Sequence, residues 1–406
     1  MMRKSFVILS GIFVCALSAM GEASQQKTAA SESLSSIRST RLSSVDVTMR
    51  IAQARQLLQA ESAVSRDSVR LAALDLDTGQ VTIIPLSKDE FLTKDAELDS
   101  TTDLGQQVRV RVIRANGVNT AVAISDTARG ESLVPLVVQF PIVRNGGISE
   151  VAYYTSAHPA LLSPELTSTG QGYVRTMLDQ AAARLAANGV QIPIDIVNVA
   201  EHLCVVEHTD HKRFMNEDQS ALFPEILSLY ALNQGNTFRY SVSIAGAGGM
   251  IQMIPRTYEA IRQQHPNVSL NSDFISGMRD HDNALQAMLL YMNDTWNGLA
   301  KSSEVQDALT NGIATKAELI AAGYNSNPAR LPGYLKNGAE WRSLIPAETQ
   351  IYLTIYASVD KNLHFEGTQM ADSKSPSRGF ALSVEAAHTL PIFWWLRESL
   401  MSMSAF

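Results

Sequence analysis

Between residues 67 and 157 the apolar positions recur every second residue. Val108, Val110 and Val112 alternate with Arg109, Arg111 and Ile113, and after Asn116-Gly117 the apolar run resumes from Val118 to Ile124. Asn-Gly supplies the positive φ angles of a tight turn, so this spacing predicts a β-hairpin. Val69 to Leu76 and Gln80 to Leu86 flank Asp77-Thr78-Gly79 in the same manner, and Val134 to Val143 returns through Asn145-Gly146-Gly147 into Ile148 to Tyr154. About six strands joined by short turns predict a small, mainly antiparallel β domain over 67–160. It carries no cluster of catalytic residues, which leaves it a positioning or partner-binding module, or a structural companion.

On either side the period is helical. Val47, Ile51, Ala54, Leu57 and Leu58 predict one amphipathic helix from Val47 to about Ala63. After Pro164 the helical period persists. Tyr173 to Ala187 closes on Asn188-Gly189, residues that tolerate a left-handed cap, and Ile196 to about Asp210 carries the stripe Ile196, Val199, Leu203 and Val206. The fold class expected is therefore α+β, with an all-α domain over 165–362 following the sheet. Residues 24–66 read as a flexible leader and the first helix. Residues 363–406 read as a C-terminal extension, in which His364-Phe365 and Phe393-Trp394-Trp395-Leu396 offer rings that could stack on a sugar but are read as pinning the chain end to a core.

The first residues change the setting. Arg3 and Lys4 precede an apolar stretch from Phe6 to Ala19 and small residues near Gly21 to Ala23, the layout of a secretory signal peptide over 1–23. The expected location is the periplasm or another site of export, with no transmembrane segment in the mature chain; a retained N-terminal anchor is the alternative. Loss of residues 1–23 removes Arg3, Lys4 and Glu22, which moves the net charge from −7 to −8. An acidic chain lacks the clustered cations that displace counterions from phosphate, so nucleic acid is not the expected partner. Cys15 leaves with the signal, and Cys204 alone forms no internal disulfide.

Chemistry enters at Glu207, which follows Leu203 at i+4 and so sits on the edge of an apolar stripe. Partial burial there raises a carboxylic acid's pKa, and an acid still protonated near neutrality can protonate a glycosidic oxygen. Five segments in order then resemble the soluble, lysozyme-like lytic transglycosylases. Leu203-Cys204-Val205-Val206-Glu207-His208 resembles the helix end with the catalytic Glu, and Ser243-Ile244-Ala245-Gly246-Ala247-Gly248-Gly249-Met250-Ile251-Gln252-Met253-Ile254-Pro255 is similar to S-x-x-G-A-x-G-L-M-Q-x-x-P. Asp282-Asn283 with Leu285 to Tyr291 loosely resembles D-x-x-x-N-I, Ala321-Ala322-Gly323-Tyr324-Asn325 resembles A-A-Y-N-A-G, and Ile345-Pro346-Ala347-Glu348-Thr349-Gln350-Ile351-Tyr352 resembles L-P-x-E-T-x-x-Y.

The resemblance implies a lysozyme-like domain that cleaves the MurNAc-GlcNAc bond of peptidoglycan strands, leaves 1,6-anhydro ends and needs no cofactor or metal. It implies Glu207 as the single acid and base, with Ser243, Gly249, Met250, Gln252, Tyr324, Asn325 and Glu348 as substrate-binding residues or their supports. Gly246, Gly248 and Gly249 are read as positions where the backbone turns sharply or approaches a sugar. Two departures stand out: His208 follows the Glu where the family has Ser, and residues 211–242 form an insertion that reads as a lid, a docking surface for envelope-complex proteins, or added packing. Glu201 is the reserve acid.

Two other classes compete. One is an inactive peptidoglycan-binding or scaffold protein of a secretion or conjugation apparatus. The other is a zinc-dependent hydrolase, since Cys204, His208 and His211 fall at i, i+4 and i+7 with His202 and Asp210 nearby.

Overall fold

The computed structural model describes residues 42–60, 64–243 and 245–363, all within one compact unit. The segments expected to be a signal peptide, most of the leader and the C-terminal extension lie outside the described residues.

The N-terminal half is an antiparallel sheet built as the alternation requires. Helix α1 (Ser44–Ala60) leads into β1 (Ser68–Asp75), β2 (Val81–Ser87), β3 (Glu97–Thr101), β4 (Gln107–Arg114), β5 (Ala121–Asp126), β6 (Ser132–Arg144) and β7 (Gly147–Tyr154). The strand order is β2-β1-β6-β5-β4-β3, with β7 also pairing β6. The long strand β6 is the axis of the sheet: Leu133 to Gln139 pair with β1, while Val138 to Arg144 pair with β7. The two end strands meet, because Asp103 N donates to Ile83 O at 2.9 Å and the Asp103 carboxylate accepts from Ile83 N at 2.8 Å. The sheet therefore curls almost into a barrel, which leaves little edge exposed.

Two differences from the sequence reading have local causes. Strand β3, ELDST, escaped the period-two pattern because only Leu98 turns inward on it. The hairpin at Asn116-Gly117 forms, but a 3-10 turn over Gly117–Asn119 delays the return strand to Ala121 and shifts its register. Val108, Val110 and Val112 face the core from β4 as the alternation demands. On the other face of the sheet Val47, Ile51, Ala54 and Leu58 of α1 pack on Ala72, Leu74, Val134 and Leu136.

Helices α2 (Pro164–Ala187), α3 (Ile194–Val206), α4 (Gln219–Asn233), α5 (Pro255–Gln264), α6 (His281–Leu299), α7 (Ser303–Thr310), α8 (Lys316–Asn325) and α9 (Ala347–Asn362) form the second half. Helix α2 starts nine residues before Tyr173 because Ser163 caps it, accepting from Leu166 N, and Pro164 occupies the first turn. Helix α3 lies inside the bundle, with ten of its thirteen residues buried. None of the described helices is long and apolar enough to cross a membrane.

The insertion at 211–242 is packing, not a lid. Leu222, Phe223, Ile226, Leu227 and Tyr230 of α4 are buried in the helical core, while Leu229 enters the sheet's core and Leu232 packs beneath α1. Asn233 closes the junction by accepting from Thr155 N and donating to Thr155 O, each at 2.8 Å. Helix α4 thus joins sheet to helices by contributing side chains to all three apolar cores. At about 25 cal/mol per Å² of buried apolar area, such a seam resists separation of the halves.

Candidate active site

Glu207 is the residue that closes α3: its N–H bonds back to Leu203 O at 2.9 Å, and its own φ and ψ of −61° and −19° are the last helical values before the chain leaves. The helix is four residues shorter than the apolar stripe predicts. Its end is fixed by Thr209, whose hydroxyl donates to Val205 O, and by Asp210, which caps the next short helix at His211–Asn216. The carboxyl group is therefore set at the negative end of the α3 dipole, where a charged carboxylate is disfavoured.

The side chain is half-buried, and burial pushes its pKa up to about 8. A hydrogen bond from Tyr352, at 2.6 Å from hydroxyl to Oε1, works in the opposite direction, and the charge of Glu348 adds to the rise. Glu348 and Tyr352 lie one turn apart on α9, so one helix face supplies both influences. With Oε1 engaged by Tyr352, Oε2 is left as the oxygen to carry a transferable proton. Tyr324, at the end of α8, lies near enough that the Glu207 charge raises its phenol pKa.

The glycine-rich turn is joined to this neighbourhood through its backbone carbonyls. Val242 pairs with Gly248 and Gly248 with Met253 as short bridges, and Gly249 N donates to Ser241 O at 3.0 Å. Gln252 takes left-handed backbone angles of 46° and 39°, and its amide donates to Gly249 O at 2.8 Å and Ser241 Oγ at 3.2 Å. A non-glycine residue held there stores strain, a frequent mark of functional loops. Two bonds tie the turn to the acid's neighbourhood: Tyr324 donates to Ile251 O at 2.7 Å, and His208 Nε2 meets Met250 O at 2.9 Å.

The sequence-predicted residues divide accordingly. Glu207 and Tyr324 are brought close, Gln252 turns its amide back onto Gly249 O and Ser241 Oγ within its own turn, Asn325 is half-buried at the end of α8, and Glu348 is exposed in the first turn of α9. Met250 is corrected: its side chain is fully buried in the helical core and offers only its carbonyl. Gly249 is likewise buried, and its closeness is to Met278 O, not to a sugar. Ser243 Oγ accepts from Ala247 N at 3.0 Å and so organises its own turn. Tyr352 is the residue that the sequence reading quoted without a role.

The reserve acid Glu201 is buried and paired with Arg175 at 3.2 Å, which makes it a structural anchor between α3 and α2. The zinc alternative loses its ligands. Cys204 is buried, the His208 ring stacks on Phe238 at 3.4 Å with its pKa pushed down by burial to about 3, and among the described residues no group of three or more His, Cys, Asp or Glu is placed to hold a metal ion. His208 fills the position after the acid as a neutral spacer.

No protein-family model matches the chain, and no curated protein or solved structure matches it.

Replacing Tyr352 by Phe removes the bond that favours the charged form of Glu207. The pKa of Glu207 should rise further, so the alkaline limb of any activity that needs the protonated acid should move to higher pH. The rate of a step that needs the carboxylate should fall by about tenfold, the worth of one hydrogen bond to a charged group. A pH-rate profile of Tyr352→Phe against the wild type checks both.

Proposed function

We propose that this chain is an exported peptidoglycan lytic transglycosylase whose helical half is lysozyme-like. The observation that carries the reading is the half-buried Glu207, whose burial raises its pKa to about 8, bonded by Tyr352 and close enough to Tyr324 for its charge to raise that phenol's pKa. In this reading Glu207 gives its proton to the oxygen between MurNAc C1 and GlcNAc C4, and the C1–O bond breaks. The carboxylate so formed takes the proton from the MurNAc 6-hydroxyl, whose oxygen bonds to C1. The acid is regenerated, a 1,6-anhydro ring forms and no water is consumed. The substrate's own hydroxyl, already beside C1, gains from proximity what a second carboxylate would supply in a hydrolase. The low acid strength of Glu207 suits both halves, since the group must give and retake one proton near neutral pH.

The test is digestion of purified sacculi by the protein, with mass spectrometry of the released fragments. Anhydro-muramoyl ends are expected. Reducing ends would replace the proposal with a hydrolase, and retention on sacculi without any release would replace it with a wall-binding protein.

A further inference from the structure

We propose that Arg144, Arg239 and Arg279 form a carboxylate-binding subsite beside the glycine-rich turn, one that takes the acidic peptide stem of a glycan strand; the choice of ligand rests on the peptidoglycan reading above. The three guanidinium groups come from both halves of the fold. Arg144 ends β6, Arg239 lies two residues before Ser241, and Arg279 ends a short helix over Phe274–Arg279. Arg239 and Arg279 share one carboxylate, Glu150 of β7, and Arg144 lies within electrostatic range of Arg279. Arg279 Nη1 donates to Glu150 Oε2 at 3.0 Å, and Tyr240 Oη and Arg239 Nη2 reach Oε1 at 2.7 and 3.5 Å.

The cluster holds more positive charge than it neutralises, in a chain whose net charge is −7. Burial lowers the Arg279 pKa first, and the neighbouring charges of Arg144 and Arg239 lower it further while Glu150 opposes them. The exposed Asp273 is the other carboxylate in range of Arg144 and Arg279. Arg144 is exposed and makes no ion pair among the described residues, and Arg239 Nε is buried without a hydrogen-bond partner. The Arg239 and Arg279 guanidinium groups both lie over the Tyr240 ring, at 5.9 and 5.1 Å from its centroid, and Arg239 Nη1 donates to Arg279 O at 3.1 Å. Planar forks held in place are suited to bidentate contact with carboxylates.

The cluster adjoins the candidate cleft through continuous chain. Ser241, next to Tyr240, accepts from Gly249 N and from the Gln252 amide, and Met278, next to Arg279, is the residue on which Gly249 rests. A glycan strand lying along the turn would carry its muramoyl peptides outward past this point, and those stems bear free carboxylates. The sheet then has a definite task, which is to supply the far wall of the substrate groove.

The test titrates the full chain and its Arg144→Gln variant with a sugar-free stem tripeptide, L-Ala-γ-D-Glu-diaminopimelate, by calorimetry at low and raised salt. Arg144 is exposed, so the variant should keep its fold, checked by circular dichroism. The wild type should bind the peptide with an affinity that falls as salt rises, and Arg144→Gln should weaken binding about tenfold, the worth of one charge-assisted contact. An uncharged N-acetylglucosamine oligomer should bind both proteins alike. Absence of peptide binding to the wild type, equal peptide binding by the variant, insensitivity to salt, or a matching loss for the sugar oligomer would each overturn the subsite. Arg144-dependent peptide binding in a protein that releases nothing from sacculi would remove the cleavage reading and leave the subsite. Cleavage of sacculi without Arg144-sensitive peptide binding would do the reverse.

Discussion

Glu207→Gln should lower the release of anhydro-muramoyl fragments by about 10²- to 10⁴-fold, the usual contribution of a positioned general acid or base. Gln fills the same space and still accepts from Tyr352, so the cleft keeps its shape while losing the only proton the reaction uses. A variant that kept the wild-type rate would end the assignment of Glu207. The same substitution also tests the acid's strength without any substrate. The folded-state pKa of Glu207 is raised to about 8 from an ordinary value of 4.5, because burial disfavours the charge. The folded protein therefore holds this proton more tightly than the unfolded chain does. Its contribution to stability is complete below pH 4.5 and is lost as the pH rises through about 8. Glu207→Gln has no such dependence. The variant and the wild type should match near pH 4.5, and the variant should gain about 2 kcal/mol relative to the wild type by pH 9, a figure reduced for the side chain's partial exposure. Denaturant titrations at the two pH values measure the difference.

How much of this was legible in the sequence depends on the range of the interactions. Strands β1, β2, β4, β5, β6 and β7 were legible because alternation and Asn-Gly or Asp-Thr-Gly turns are local signals, while β3 was lost for having a single inward residue. The α+β order was legible for the same reason. That the sheet curls on itself through Asp103 was not, since no local pattern reports a contact between strands at opposite ends of the order.

At the site, Glu207 could be found from its place on the α3 stripe, but the agent that holds it could not be derived from spacing. Tyr352 is 145 residues away in sequence, and only the fold makes it a neighbour. It had a faint signal, one turn after Glu348 on the same predicted motif. The error over Met250 has the opposite origin. Position inside a motif suggests contact with a ligand, whereas a large apolar side chain flanked by glycines is equally well explained as the peg that anchors the turn in the core. Residues 211–242 illustrate the same ambiguity. Their apolar content fits a lid or a core helix equally, and it is the contact of Leu229 and Leu232 with the sheet that decides for the core.

Gly249→Ala should be the most damaging small substitution in the turn, and a second glycine allows its cause to be isolated. Gly246 and Gly249 both have positive φ, 76° and 70°, so a methyl group at either pays the left-handed backbone cost of about 1 kcal/mol. They differ in space. A Cβ at Gly246 would meet nothing within 4 Å, whereas at Gly249 it would lie 2.2 Å from Met278 O, a backbone atom that cannot turn aside as a side chain can. Gly249→Ala should therefore cost about 3 kcal/mol, with Tm about 6 °C lower, against about 1 kcal/mol for Gly246→Ala. The excess should also reach the chemistry. Moving the turn away from Met278 displaces the Met250 and Ile251 carbonyls that His208 and Tyr324 hold, and so disturbs the two residues that lie beside Glu207. Thermal melts and sacculus digestion of the two variants, run in parallel, check the pair. Equal destabilisation by both would mean that the rigidity of this turn comes from its backbone angles alone and not from its seat on Met278.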